Sequence, residues 1–370
     1  MKLNPLQRRR LANFRANRRA LWSFRIFLVI FLVTLCAEFV ANDKPLVVRY
    51  QDEFRFPVLS FYSEADFGGE FETEAEYHSP EVRCLIRTGG LEACLDDPEG
   101  VYRQAAETGA VDGTPVAAPG WMLWPPIPFS YDTINYDVAS APSAPDRVHW
   151  LGTDDQTRDV VARVIYGFRI SVLFALVVAV ISSAIGIAAG ATQGYFGGWI
   201  DLTAQRLVEI WQNMPSLYII IILSAMFTMS FWLLTLLIAF FSWTSLVHVV
   251  RAEFLRARNF EYVRAARALG VGDVTIMFRH LLPNAMVATL TLLPFIITGA
   301  IGGLAALDFL GLGLPASYPS LGELALQGKN RLNAPWLGFT AFFTFAIMLS
   351  LLVFIFEGVR DAFDPRKTFK

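Results

Sequence analysis

Between Glu209 and Arg251 the chain runs for 41 residues without a formally charged side chain. A helix needs roughly 20 residues to cross the ~30 Å hydrocarbon core of a bilayer. In lipid every backbone N–H and C=O must be satisfied within the chain, so such a run has to be helical. Its length suits a tight hairpin of two spans that turns near Met229 to Phe231. Pro215 stands near the entry to the first, where a missing N–H can kink a helix. The rest of the composition agrees: mean hydropathy is +0.44, charged residues are held to 17% and there are 31 phenylalanines among 370 residues.

Four more apolar runs complete a six-span pattern. They cover Leu21 to Val40, Ile170 to about Gly190, about Met286 to Leu307 and about Trp336 to Phe356. The first follows Arg8, Arg9, Arg10, Arg15, Arg18 and Arg19. A secretory signal peptide also begins with a basic start and an apolar core. Here no small-residue cleavage site follows, and Glu38, Phe39 and Val40 stand there instead. The run therefore reads as an uncleaved first span, with Arg25 reaching back to the interface. Residues 1–40 carry eight Lys/Arg against one acid, whereas residues 41–150 carry seven against nineteen, a net 7 − 19 = −12. A basic start places the N-terminus in the cytoplasm and the acidic stretch outside. Six spans then return the C-terminus to the cytoplasm. The expected organisation is a basic N-terminus (1–20), a first span (21–40), an outer acidic insert (41–150) and a five-span unit (151–370). Gln193 to Gln205 reads as a short polar turn, and Asp308 to Pro335 as an outer loop. In the fifth span Gly299 and Gly303 have the spacing that lets helices approach closely, with Pro294 nearby.

The insert shows no catalytic constellation. Phe54, Phe56, Val58, Phe61 and Tyr62 suit short strands. The acidic run from Glu64 to Glu81 reads as a solvated loop. Ala117 to Phe129, with Trp121 and Trp124 among prolines, suits a membrane interface. Cys84 and Cys94 lie in this region with nine residues between them. A disulfide closing that short loop is expected if the region is periplasmic; two free thiols are the alternative. Cys36 falls in an apolar run and reads as a packing residue.

Six arginines stand from Arg251 to Arg279, with long apolar runs on both sides. Charge this dense does not sit in lipid, so the segment is a folded loop between spans. Ala265, Ala266, Ala268 and Leu269 favour helix. Gly270 and Gly272 end it, and Ile276, Met277, Phe278, Leu281 and Leu282 give a second apolar face before Pro283. The reading is a helix–turn–helix with a basic rim. A plain basic cytoplasmic loop is the simpler alternative.

The segment resembles the Glu-Ala-Ala loop of binding-protein-dependent ABC importer permeases. Ala265, Ala266, Gly270, Leu282 and Pro283 match that pattern in register. Arg264 occupies the family's glutamate position and Glu261 lies three residues earlier, so either can supply the polar contact to an ATPase. A second resemblance, to the dipeptide and oligopeptide branch, rests on Gly152-Thr153-Asp154, Arg158-Asp159-Val160 and Tyr166-Gly167-Phe168-Arg169-Ile170-Ser171. Thr157 stands where the branch usually has glycine. In this stretch Thr153 or Asp154 suits a helix cap, Asp154 a pair with Arg158, and Val160, Val161, Val164 and Ile165 an apolar face. A third resemblance is the ending Val359-Arg360-Asp361-Ala362-Phe363-Asp364-Pro365.

The resemblance implies an all-α polytopic membrane fold of six helices, with a cytoplasmic coupling helix inside the loop 252–285. It implies a peptide-importing permease subunit in the bacterial inner membrane, or one for another small solute such as nickel, the cargo of a sister branch. Its partners would be a second, homologous permease, two ATPases at the cytoplasmic face, a periplasmic substrate-binding protein and the lipid bilayer; no nucleic acid is expected. ATP and Mg²⁺ would be used by the ATPases. The residues implied to carry coupling are Glu261, Arg264, Ala265, Ala266, Gly270 and Pro283. Gly152, Thr153, Asp154, Arg158 and Asp159 would form a structural signature.

No phosphate loop accompanies these motifs. Gly322 to Asn330 has five residues between its glycines rather than four, and Asn330 replaces the Mg²⁺-holding Ser/Thr. No HExxH pair or GxSxG elbow is present, and four histidines are too scattered for a metal cage. An intramembrane peptidase would need paired acids or a Ser–Lys pair inside spans that are nearly free of charge. A sensor would need a longer inner segment than any here. The chain is therefore expected to bind no cofactor and to catalyse no reaction itself.

Overall fold

The computed structural model describes residues 5–116 and 119–363. Asp364 and Pro365 of the C-terminal motif, and the first two residues of the Trp/Pro segment, lie outside the described residues. The chain divides into two compact units, Met1–Leu32 with Gly167–Lys370, and Val33–Tyr166.

The first unit opens with α1 (Pro5–Ala16) and α2 (Arg18–Leu35), hinged where the Asn17 side chain accepts from the Ala20 N–H. The helix that carries the first apolar run is thus 18 residues long and ends at Leu35, before Val40; Ala37–Phe39 forms a 3₁₀ turn.

The Val33–Tyr166 unit adds short strands to a chain that is otherwise mostly helical. β1 (Val47–Tyr50) pairs antiparallel with β2 (Glu53–Arg55) and with β5 (Trp121–Leu123) in the order β2-β1-β5. Between them come α3 (Pro80–Thr88), α4 (Ala93–Asp96), α5 (Pro98–Thr108) and a small hairpin of β3 (Ala110–Val111) and β4 (Thr114–Pro115). α3 starts where Ser79 accepts from the Val82 N–H and Pro80 supplies a preset φ, and it stops at left-handed Gly89. Of the aromatic residues expected in strands only Phe54 is in one. The acidic run is not merely solvated: Phe67, Ala75 and Tyr77 from it are buried with Val48, Tyr50, Val82, Leu85 and Ile86. Full burial of a side chain the size of Phe67 contributes about 1.5–3 kcal/mol. The guanidinium of Arg55 lies 4.9 Å, 5.0 Å and 5.5 Å from the rings of Tyr50, Phe67 and Tyr62. The Trp/Pro segment supplies β5 to the sheet. Cys84 and Cys94 are joined by a disulfide with Cα atoms 5.6 Å apart, and both are fully buried.

The chain then enters α6 (Val160–Phe196), 37 residues long. The polar stretch after it is not a turn. It is the end of α6, a break at Gly197, and a second helix, α7 (Gly198–Gln212). α8 (Ser216–Met226) follows Pro215 at a 66° bend. The segment 227–230 separates it from α9 (Phe231–Ser242), whose Ser230 cap accepts from the Leu233 N–H. α10 (Thr244–Ala257) follows at a 41° bend. After α11 (Glu261–Ala268) and α12 (Asp273–Thr275), a π turn (Ile276–Leu281) leads into α13 (Leu282–Phe309). α14 (Leu321–Asn330) and α15 (Pro335–Phe363) close the chain. Gly322 to Asn330 is ordinary helix, capped by Ser320. Among the described residues three helices are long and apolar enough to cross a membrane: α6, the continuous helix Asp273–Phe309 and α15. Counting α7–α8 and α9–α10 each as one broken span gives up to five. α2 carries Arg18, Arg19 and Arg25 in its 18 residues.

Candidate functional site: the 261–285 segment and its supports

α11 is short but firmly seated. Val263 and Ala266 point inward, joining Phe254, Ala257, Ile276, Leu281 and Ala285 in one core. Glu261, Arg264 and Ala265 lie on the exposed side. Of the two adjacent alanines, one therefore packs and the other leaves a low surface. Gly270 has φ +78°, the left-handed conformation that closes a helix, and open space surrounds the position a Cβ would take. Gly272 differs from expectation: with φ −63° and ψ 149° it is an extended N-cap that any residue can adopt. Beside this turn Leu269 is 83% exposed, and Val274 and Phe278 are exposed as well. These apolar side chains form an exposed cluster beside the basic rim.

Pro283 lies inside a helix that is continuous from Asp273 to Phe309. A proline inside a helix loses one N–H and crowds the carbonyl four residues back. The π turn just before it widens the spiral, which makes room for the ring. The second half of the segment is therefore the entrance of the long helix rather than a free-standing helix.

Polar contacts tie this segment to α6 and α7. The Tyr195 hydroxyl donates to the Asp273 carboxylate, and the Arg267 guanidinium lies 4.9 Å from the Tyr195 ring. Arg258 Nη1 donates to the Tyr195 carbonyl at 3.2 Å. Arg251 Nη2 donates to Asp201 Oδ2 at 2.7 Å, one arm of a two-point pair. Behind these contacts Gly186, Gly190 and Gly194 line one face of α6. A Cβ there would come within 2.5 Å of the Trp243 carbonyl, 2.7 Å of Val247's and 2.5 Å of Arg251's. The two helix backbones touch, as small residues four apart allow. Sequence reasoning placed the close approach at Gly299 and Gly303. In this chain Gly299 has open space around it and Gly303 meets only Ile238 at 3.9 Å. The fourfold spacing of Gly186, Gly190 and Gly194 was the available signal.

The second predicted set, Gly152 to Asp159, belongs to the other compact unit. The helix cap is neither Thr153 nor Asp154. Asp159 accepts from the Ala162 N–H at 2.9 Å and α6 begins at the next residue. Asp154 is fully buried. Its Oδ1 accepts from the N–H groups of Gln156 and Arg158, both at 2.9 Å, and its Oδ2 accepts from Arg158 Nε at 2.7 Å. Arg163, also buried, brings its Nε within 3.5 Å of Asp154 Oδ2. His149, 1% exposed, donates from Nδ1 to Asp159 Oδ2 at 2.8 Å and accepts at Nε2 from Asn135 Nδ2. His149 and Arg163 were not anticipated. Thr157 has φ +62°, the left-handed conformation that glycine adopts most readily; its hydroxyl accepts from the Asn135 N–H at 3.1 Å. Every charge in this cluster serves the fold, and among the described residues no group of His, Cys, Asp or Glu is arranged to hold a metal.

An exposed, glycine-closed helix thus sits on a set of long apolar helices. The chain belongs to the family of binding-protein-dependent transport system inner membrane components, whose family model matches residues 182–369. It is 51% identical to the Peptidoglycan transport system permease protein YejE of Agrobacterium fabrum, over 99% of this chain and 95% of that protein. It is also 51% identical to the Inner membrane ABC transporter permease protein YejE of Escherichia coli, over 99% of both. The Oligopeptide transport system permease protein OppC of Bacillus subtilis is 33% identical over 66% of this chain and 80% of its own length. The chain is thus a multi-pass inner membrane protein of a transport system, not an enzyme.

Proposed function

We propose that this chain is the permease subunit of an ATP-driven importer that carries peptides from periplasm to cytoplasm. The relatives named for peptidoglycan and oligopeptide transport support that class of cargo. We assign six spans, taking α2, α6, α7–α8, α9–α10, Asp273–Phe309 and α15 in turn. Both termini and α11 then face the cytoplasm, and residues 41–150 face the periplasm. A second, homologous permease would complete the pathway, two ATPase subunits would consume ATP and Mg²⁺, and a periplasmic binding protein would deliver cargo.

The observation that carries this reading is the exposed α11–Gly270 turn, seated on α10 and on the entrance of the long helix. A push from an ATPase on α11 has no soft layer to dissipate in. Val263 and Ala266 transmit it to Phe254 and Ile276, and the glycine face of α6 moves with α10. Closing of the ATPase pair on ATP would favour one arrangement of the spans, and its opening the other.

The test is Gly270→Asp. A side chain at φ +78° costs about 1–2 kcal/mol, borne by an exposed turn, so membrane insertion should persist. Peptide uptake should fall strongly and fewer ATPase subunits should co-purify. Normal uptake at normal expression would rule the turn out as the coupling element.

A further inference from the structure

The N-terminal helices carry a feature that coupling does not use. Arg8, Arg9, Arg15, Arg18, Arg19 and Arg25 are all exposed. None forms an ion pair with a carboxylate among the described residues. α1 is held against the end of α15: Arg10 lies 4.3 Å from the Phe363 ring, and Phe14 and Ala20 close on Gly358, where a Cβ would come within 2.1 Å of Ala20. This seating leaves a cleft of about 420 Å³ lined by Ala16, Asn17, Arg18, Arg19, Phe354 and Glu357. Directly after the arginines α2 turns apolar, with Trp22, Phe24, Ile26 and Val29 exposed and Arg25 stacked 5.1 Å from the Trp22 ring. Val353 and Phe354 are exposed on α15.

We propose that this cleft binds an anionic phospholipid, its phosphate held by Arg18 and Arg19 and an acyl chain lying along Phe354. The argument is charge complementarity combined with position. Guanidinium groups match phosphate in a two-point geometry that water does not offer. An indole at the head of an apolar helix marks the headgroup level of a bilayer. A soluble anion satisfies only the arginines, whereas an amphiphile satisfies the arginines and the apolar face beyond them. Glu357 opposes the anion from the far wall of the cleft, so affinity is set by two cations against one carboxylate. The proposal rests on the reading that α2 and α15 cross the membrane.

The test uses the full chain, purified and stripped of lipid, and titrated with phosphatidylglycerol, phosphatidylcholine or inorganic phosphate under native mass spectrometry. Phosphatidylglycerol should be retained and phosphatidylcholine should not. Near a membrane surface each basic residue contributes on the order of fivefold, so Arg18→Gln with Arg19→Gln should weaken retention about 25-fold. Arg206→Gln, an exposed arginine on α7, should leave retention unchanged. Glu357→Gln should tighten retention severalfold, a gain that misfolding does not produce. Equal retention of both lipids, an unchanged affinity in the double variant, weaker binding in Glu357→Gln, or displacement of the lipid by inorganic phosphate would each overturn the proposal. Alkaline extraction of membranes tests the span reading by itself: release of the wild-type chain would sink that reading without altering the titration.

Discussion

Two arginine-bearing segments behave in opposite ways. In residues 149–163 the charged groups named above turn inward, and Asp154, Arg158, Asp159 and Arg163 are buried in one paired network. In residues 261–285 Glu261, Arg264 and Arg279 are exposed while Arg267 and Asp273 engage Tyr195, and apolar Leu269, Val274 and Phe278 are exposed beside them. The first has spent its polar groups on itself; the second has kept its surface for something else. A motif match alone does not separate a structural staple from an interface. Burial and partner geometry do.

The comparison breaks most visibly at Asp154. Asp154→Ala strands the buried Arg158 charge and should cost about 3–5 kcal/mol. Thermal unfolding of the purified chain should show it as a large fall in midpoint or a loss of recoverable protein. A stable, normally folded variant would mean that the network is ornamental. Next in size is Gly190→Leu on the α6 face that touches α10. With a backbone carbonyl 2.7 Å from the Cβ position the helices have to part, at about 1–3 kcal/mol or more. Uptake should be lost even in material that still inserts. Retained uptake would show that α6 and α10 need not move as one body.

A smaller effect sharpens the inward side of the comparison. His78 packs 4.4 Å from the Trp124 ring and donates to the Pro128 carbonyl at 2.7 Å. Burial pushes its pKa below the ordinary 6.5. The unfolded chain therefore takes up a proton before the folded one does. The stability this ring contributes is complete above pH 6.5 and is lost as pH falls through the folded value. Unfolding midpoints measured down that range should decline, and His78→Phe should flatten the decline. An unchanged slope in the variant would assign it to other groups. The smallest change in stability is expected at Leu269. Leu269→Ala should shift it by less than about 0.5 kcal/mol while ATPase co-purification drops severalfold. A loss of stability there would place Leu269 with the inward set.

The sequence announced the long apolar helices α6, Asp273–Phe309 and α15 because lipid imposes a rule that composition obeys: long runs nearly free of charge, with arginines gathered outside them. It announced Gly270 because few residues close a helix in the left-handed region. It did not announce the cap at Asp159, since Thr153, Asp154 and Asp159 are all competent cap residues and only the buried pairing of Asp154 with Arg158 decides among them. It misjudged Gly299 and Gly303, because glycine spacing licenses a close approach without naming the helix that makes it. It hid α7 behind polar residues that line one face of a helix as readily as they fill a turn. The Val33–Tyr166 unit was least legible. Its core is assembled from single residues such as Phe67 and Tyr77, set among acids that mask any period.

The π turn at Ile276–Leu281 sets the rotational register of the helix that follows it. A π turn holds one residue more than an α turn, and each residue in an α-helix advances the face by about 100°. The turn therefore sets the phase between the end that meets α11 and the long helix leading to Phe309. Deleting one exposed residue of it, Phe278, would rewind the turn to α and rotate one end against the other like a thread cut one step out of phase. The extra residue therefore fixes which side chains of the long helix lie on the side of α10 for a given seating of α11.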